Sequence, residues 1–394
     1  MPAPLQHDLY IRGTREQVAK QDFVASLRKY VLNDVANEMR GRYETQIEPA
    51  MKAAGTTPAS GPDVHKAIKP DPLFRLYSSI RYNTQEMVWR SVLRPLAENR
   101  ARLGEKVEEQ TSAETLGSLS LNPELEIPRN VTAVDVHLTP GSYHREDPQA
   151  PWMAGALYDH GFSVFSFGMM GENHDDIGHS MSQYIRHSFP EFQPQTILDV
   201  GCTIGHNTCA WKQSYPDARV VGIDVAPACL RYAHARAESQ GRAVDFEQAN
   251  ATALPYDDNS VDVVFSSMFL HELSVKDIRK FFAEAHRVLR PGGLMLHMEL
   301  PPNDALDPYD AFYLDWDAYY NNEPFYKAFR DQNFTVLREE AGFSADKHLQ
   351  FITPQYSMLS EDEYAEAIKQ EQGFSDKTGR FADGMQWFGF GAWK

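Results

Sequence analysis

Cysteine is scarce in this 394-residue chain, with Cys202, Cys209 and Cys229 clustered in one short stretch. The spacing fits neither a zinc site nor a disulfide framework, so reduced thiols in a cytoplasmic protein are expected. No apolar run approaches the roughly 20 residues of a membrane span. The opening MPAPLQHDLYIRG has no signal-peptide core. Positive charge is also in deficit: 38 Lys and Arg face 55 Asp and Glu, a net −17 with no basic run. Such a surface repels polyanions, which argues against nucleic acid and anionic membranes as partners. What remains is an ordinary globular balance, 42% hydrophobic and 24% charged, long enough for two or three structural units.

The most informative stretch is TILDVGCTIGHNTCAWKQSYPDARVVGIDVA, Thr196 to Ala226. A short β-branched run ends at Val200, a glycine turn follows, a helix begins near His206, and a second strand closes on Asp224. Strand, glycine turn, helix, strand and acid form the first unit of a nucleotide-binding α/β sheet. Asp224 lies 23 positions after Gly201, near the spacing of an acid that accepts from ribose hydroxyls. A dinucleotide fingerprint would need glycine at 203 and 206, where Thr203 and His206 stand.

The remaining chain divides into three expected regions. Residues 1–120 read as a helical cap or oligomerisation region. Thr14 and Gln17 form a capping box, and Phe23, Leu27, Val31 and Val35 form a stripe. A second helical segment is interrupted at Pro95, and 105–122 reads as a polar loop. Residues 121–190 form a connecting segment on the substrate side, with a strand or extended arm at 131–141 and a His-, Met- and aromatic-rich run. Residues 191–394 alternate strand and helix, which implies a doubly wound, mostly parallel sheet of seven strands. Insertions at 303–330 and 356–383 form a lid, and the last two strands pair as an antiparallel hairpin.

Five ordered segments carry a family resemblance: LDVGCTIG, VVGIDVAP, ANATALPYDDNSVDVVFS, LHEL and HRVLRPGGLML. Together they resemble class I S-adenosylmethionine-dependent methyltransferases, of the kind similar to ubiquinone and menaquinone C-methyltransferases. The resemblance implies a Rossmann-like fold and S-adenosyl-L-methionine as cofactor. By it, Asp199, Gly201 and Gly205 line the methionine end, and Asp224 holds the ribose diol. Asn250 stands where the family has an acid that accepts from the adenine amino group. Cys202, Thr203, Val225, Ala251 and Ser266 complete the shell. Thr203 departs from the family, which has a glycine there.

Methyl transfer needs in-line orientation, and a base only where the acceptor holds its proton tightly. No metal is required. The expected catalytic residues are His271, after the fourth core strand, and Glu299, at the tip of the fifth. Tyr143, His144, His174, Asp175, His179 and Trp316 are expected at the substrate, with helix capping, solvated charge or lid packing as the alternatives. A metal on the His174–His179 cluster is a weaker alternative. Arsenic methylation lacks thiols at the substrate face, and protein methylation has no motif. The expected function is methyl transfer to O or N of a small molecule, with S or C possible, by a cytoplasmic homodimer. A non-catalytic binding protein with a degenerate loop at Thr203 is the competing reading.

Overall fold

The structure is a computed structural model that describes residues 7–112, 114–370, 372–375, 378 and 385–394. Thr14 and Gln17 exchange backbone and side-chain bonds, so α1 (Arg15–Tyr30) begins with the expected capping box. The helical run continues to Ala53 through α2 (Ala36–Arg42) and α3 (Glu48–Ala53), with π turns at Val31–Val35 and Tyr43–Ile47. The expected stripe is corrected at one position. Phe23 is 58% exposed, with Val24 and Arg28 facing inward beside it, while Val31 and Val35 are buried and Leu27 packs against their cluster.

Next come α4 (Gly61–Ile68) and the long α5 (Pro72–Glu98). Pro95 does not interrupt α5. A proline removes the bond to the carbonyl four residues back, and Ser91 O accepts from Gln21 Nε2 instead. Helix α6 (Arg100–Ser112) occupies much of the expected loop, and β1 (Leu119–Ser120) is too short for any periodicity. The expected strand at 131–141 is a short α7 (Arg129–Thr132) and a 3-10 turn over Val136–Leu138. His137 and Leu138 there adopt φ of 54° and 57°, which breaks the extended backbone that the alternating pattern implied. Then follow α8 (Met153–Phe165) and α9 (Asp176–Ser188).

The alternating core holds β2 (Thr196–Val200), α10 (His206–Ser214), β3 (Arg219–Asp224), α11 (Pro227–Ser239), β4 (Asp245–Gln248), β5 (Val261–Ser267), α12 (Val275–Val288) and β6 (Leu289–Glu299). After it come α13 (Pro308–Tyr320), α14 (Tyr326–Arg330), α15 (Phe334–Glu340), β7 (His348–Pro354), α16 (Glu361–Ala367) and β8 (Gln386–Trp393). Part of the expected 356–383 insertion lies outside the described residues.

Among the described residues the sheet has eight strands rather than seven, ordered β1-β4-β3-β2-β5-β6-β8-β7. All neighbours from β1 to β6 are parallel, and β8 runs antiparallel to both β6 and β7. The extra strand is β1, which edges the sheet on β4. The order reverses between β2 and β5, which places a crevice at their carboxyl ends. Over that crevice sits a roof. Val31, Met39, Tyr77, Phe312, Tyr313 and Leu300 share one buried cluster, so the N-terminal helices and the α13 insertion pack as a unit. Among the described residues no helix is long and apolar enough to cross a membrane.

Candidate active site

A cavity of about 420 Å³ opens between the strand tips and the roof. That is within the range of small-molecule sites. Its floor is the turn after β2. Gly201 and Gly205 have φ of +77° and +69°, and a Cβ at Gly201 would stand 2.4 Å from the Phe269 ring. Between them Thr203 takes φ +50°, a left-handed conformation that is a true outlier for a β-branched residue. Its N–H donates to Asp224 Oδ2 at 2.9 Å, and Ala226 N–H donates to Oδ1 at the same distance. Each carboxylate oxygen keeps accepting capacity toward the cavity. Burial pushes the Asp224 carboxyl up, against these backbone bonds.

Gly201, Thr203, Asp224, Val225, Asn250 and Ala251 all line the cavity. Asn250 differs from its expected role. Its Oδ1 already accepts from Thr252 N and Thr252 Oγ1, both at 2.9 Å. A backbone N–H can only donate, so the side chain offers its NH₂, a donor rather than an acceptor.

Four expected cofactor residues lie off the wall. Asp199 is buried under the loop, accepts from Thr208 Oγ1 at 2.6 Å, and is pushed up to about 7 by burial. Cys202 packs with Cys209, Leu230 and Phe246. Gly205 caps α10 with Phe246 against it. Ser266 is out of phase: its hydroxyl meets His297 Nδ1 at 2.8 Å, while Ser267 lines the cavity and accepts from Asn207 Nδ2 at 2.6 Å.

The opposite wall is charged. The turn Leu270–Glu272 follows β5, and Phe269 N and Leu270 N donate to Glu299 Oε1 at 2.7 and 2.6 Å. The other oxygen, Oε2, lies 2.7 Å from His271 Nδ1. Facing a carboxylate, that nitrogen carries the proton, and Nε2 turns toward Glu323 and Glu272, at 3.8 and 3.9 Å. Burial opposes a charge on His271, but Glu299, with Glu323 and Glu272 behind, prevails and raises it to about 9. Glu299 itself stands behind His271, not on the cavity wall. His137 completes the group, 3.3 Å from Glu323 and 3.6 Å from Glu272. Glu272 is raised by burial, opposed by the two histidines.

Of the expected substrate residues, Tyr143 reaches the cavity. The others are corrected. His144 lies off the wall. His174 is buried 3.1 Å from Asp159 O with its ring against Phe162. Asp175 and His179 pair with each other at 3.7 Å as i, i+4 neighbours, and His179 stacks on Tyr356. Trp316 donates to Ser78 Oγ at 3.0 Å inside the roof. Among the described residues no group of three His, Cys, Asp or Glu is placed to hold a metal ion. Sequence reading did not single out His137, Glu272, Glu323 or Arg28, which the fold brings to this wall. The one available signal was Glu272, adjacent to His271.

Residues 197–293 match the family model described as a methyltransferase domain. This stretch is a class I S-adenosylmethionine-dependent methyltransferase domain. Its matched span holds the tips of β2 to β5 and the His271 turn, so it contributes to both walls, and the N-terminal helices and α13 supply the roof. The chain is 35% identical over 149 residues to demethylmenaquinone methyltransferase of Thermus thermophilus, covering 38% of this chain and 65% of that protein. It is 28% identical over 234 residues to malonyl-[acyl-carrier protein] O-methyltransferase of Hahella chejuensis, covering 53% and 81%. Phosphoethanolamine N-methyltransferase 1 of Triticum aestivum matches at 29% over 180 residues, 46% of this chain and 34% of that one. Among solved structures, Haemonchus contortus phosphoethanolamine N-methyltransferase 2 with S-adenosyl-L-methionine aligns with a TM-score of 0.40 and 19% identity, covering 63% and 58%.

Proposed function

We propose that the protein transfers the methyl group of S-adenosyl-L-methionine to oxygen or nitrogen of a small-molecule acceptor held beneath the helical roof. The observation that carries this reading is the Glu299-bound His271 on the wall of a cavity that also takes in the nucleotide-binding strand tips. When bound, the cofactor supplies an activated methyl group on a sulfonium. The chain has to hold the acceptor in line and take its proton.

Asp224 has lone pairs left for the ribose hydroxyls, and Gly201 and Thr203 present backbone beneath the methionine end. Asn250 donates from its NH₂ to an adenine ring nitrogen, with Val225 and Ala251 beside it. His271 Nε2 is the proton acceptor, and Glu299 is its positioning residue. A base that loses its proton near 9 suits a phenol or an ammonium, whose protons leave near 10. It is too weak for an alcohol. Residues 1–120 and 121–190 form the cap, 191–394 form the core, and the active unit is a cytoplasmic homodimer.

The names of the relatives, an O-methyltransferase and an N-methyltransferase among them, support this acceptor range. The non-catalytic alternative rests on Thr203, but Thr203 takes a left-handed backbone of the kind glycine favours, and its N–H donates to Asp224. The test uses purified full-length protein with methyl-labelled S-adenosylmethionine and a library of phenols and amines. Label is expected in a low-mass product. No binding of S-adenosylmethionine or S-adenosylhomocysteine, with no labelled product from any acceptor class, would favour the non-catalytic alternative. Light scattering that returns the mass of one chain removes the homodimer.

A further inference from the structure

One charge in the roof has no use in this mechanism. Arg28 lines the cavity, is 1% exposed, and has no carboxylate partner among the described residues. Its Nε donates to Phe165 O at 3.2 Å, Nη1 donates to Gln85 Oε1, and its plane lies 4.2 Å over the Phe165 ring. Nη2 makes no hydrogen bond among the described residues.

The carboxylate that acts on Arg28, Asp317, is already engaged. Arg81 grips Asp317 through Nε at 2.5 Å and Nη2 at 3.1 Å, and Asn321 Nδ2 reaches it at 3.3 Å. Arg81 also donates to Gln85 Oε1, so two guanidinium groups share one amide oxygen while Arg81 alone holds the carboxylate. A guanidinium cannot shed its proton under ordinary conditions. Arg28 is therefore a buried positive charge with no carboxylate in contact among the described residues; burial and the charge of Arg81 disfavour it, and Asp317 only partly offsets them.

A second observation concerns the helix that carries Arg28. The π turn Val31–Val35 begins three residues later. Such turns are rare and concentrate at functional sites. Leu32, Asn33, Ala36 and Asn37 line the cavity with Arg28. A regular helix would spread these positions around half its circumference.

We propose that Arg28 anchors an oxyanion, a carboxylate or a phosphate, on the methyl acceptor. The acceptor is then a small acid, with its anionic end under α1 and its nucleophilic end toward His271. This rests on the methyl-transfer reading of the same cavity. The geometry fits a short molecule, because the Phe165 ring beneath Arg28 lies 6.1 Å from the His137 ring, which belongs to the His271 cluster. The unengaged Nη2 offers N–H donors to an oxygen of either anion.

The test is calorimetry on the full-length protein saturated with S-adenosylhomocysteine. The probes are 4-hydroxybenzoate, phenyl phosphate and the uncharged 4-hydroxybenzamide. At least one anion is expected to bind about tenfold tighter than the benzamide, and the better one tells carboxylate from phosphate. Arg28→Met should abolish the preference and Arg28→Lys should keep part of it. Both should bind S-adenosylhomocysteine within about twofold of the unaltered protein. Anions binding no better than the benzamide, all three failing at about 10 mM, or a preference that survives Arg28→Met each overturn the anchor. If Arg28→Met does not fold, the unaltered protein and Arg28→Lys still decide it. S-adenosylhomocysteine failing to bind overturns the methyl-transfer reading as well, which separates the two failures.

Discussion

The two walls of the cavity are built on opposite plans. The cofactor wall uses backbone and short side chains whose partners are close in sequence. Thr203 N–H meets Asp224 across 21 positions and Thr252 meets Asn250 across two. The acceptor wall uses long charged side chains brought together from distant parts of the chain. Arg81 and Asp317 are 236 positions apart, and Asn130 binds the Glu272 carbonyl across 142. The first plan fixes one ligand with local geometry. The second holds charge in a buried place and so depends on the whole roof being assembled.

Four experiments sharpen or break that contrast. The largest expected effect falls on the charged wall. His271→Asn should lower the methyl-transfer rate by about 10²- to 10⁴-fold. In the unaltered protein the rate should climb with pH and level off near 9, because the base form of a histidine raised to about 9 predominates only above that value. A pH-independent rate, or one that falls toward pH 9, assigns His271 a donor role instead.

Next comes the roof itself. Asp317→Ala leaves the fully buried Arg81 without its carboxylate, and removing one partner of a buried pair costs about 3–5 kcal/mol. Urea unfolding should show that loss. A change under about 1 kcal/mol means that the pair is effectively solvated, as in exposed ion pairs.

The cofactor wall responds to Asp224→Ala. Losing its hydrogen bonds to ribose should weaken S-adenosylhomocysteine binding by about 2–3 kcal/mol, roughly 30- to 150-fold. Glu323→Gln, on the other wall, should leave that affinity within about twofold. Equal losses in the two variants would erase the distinction between the walls.

The smallest effect is at Thr203. Its left-handed backbone costs about 1–2 kcal/mol that a glycine would not incur. Thr203→Gly should therefore stabilise the protein by about 1 kcal/mol and keep cofactor affinity. Destabilisation there would mean that the threonine side chain contributes more than its backbone costs.

This division also explains what could be read in advance. The parallel core and its cofactor turn were legible because strand, turn and helix signals are contiguous. Ser266 failed by one position, since β5 is buried on both faces and its hydrophobic run has no phase to read. His174, Asp175 and His179 look like a site only in one dimension. In the fold His174 serves Asp159, and the other two serve each other. His271 and Glu299 were visible as strand-tip residues, but their contact across 28 positions was not. Arg28 gave no signal, because a charged residue at helical spacing reads as surface until the roof closes over it.

The position of β8 has a consequence for how the chain is made. It lies between β6 and β7, with Trp387 on the cavity wall and its Nε1 donating to Asp176 at 2.7 Å. A ribosome that has released residues up to β7 has delivered every expected catalytic and cofactor residue, yet the sheet still has an empty slot. Until residue 393 emerges, β6 and β7 have no partner on that side. The cavity is therefore completed only after translation has passed this strand.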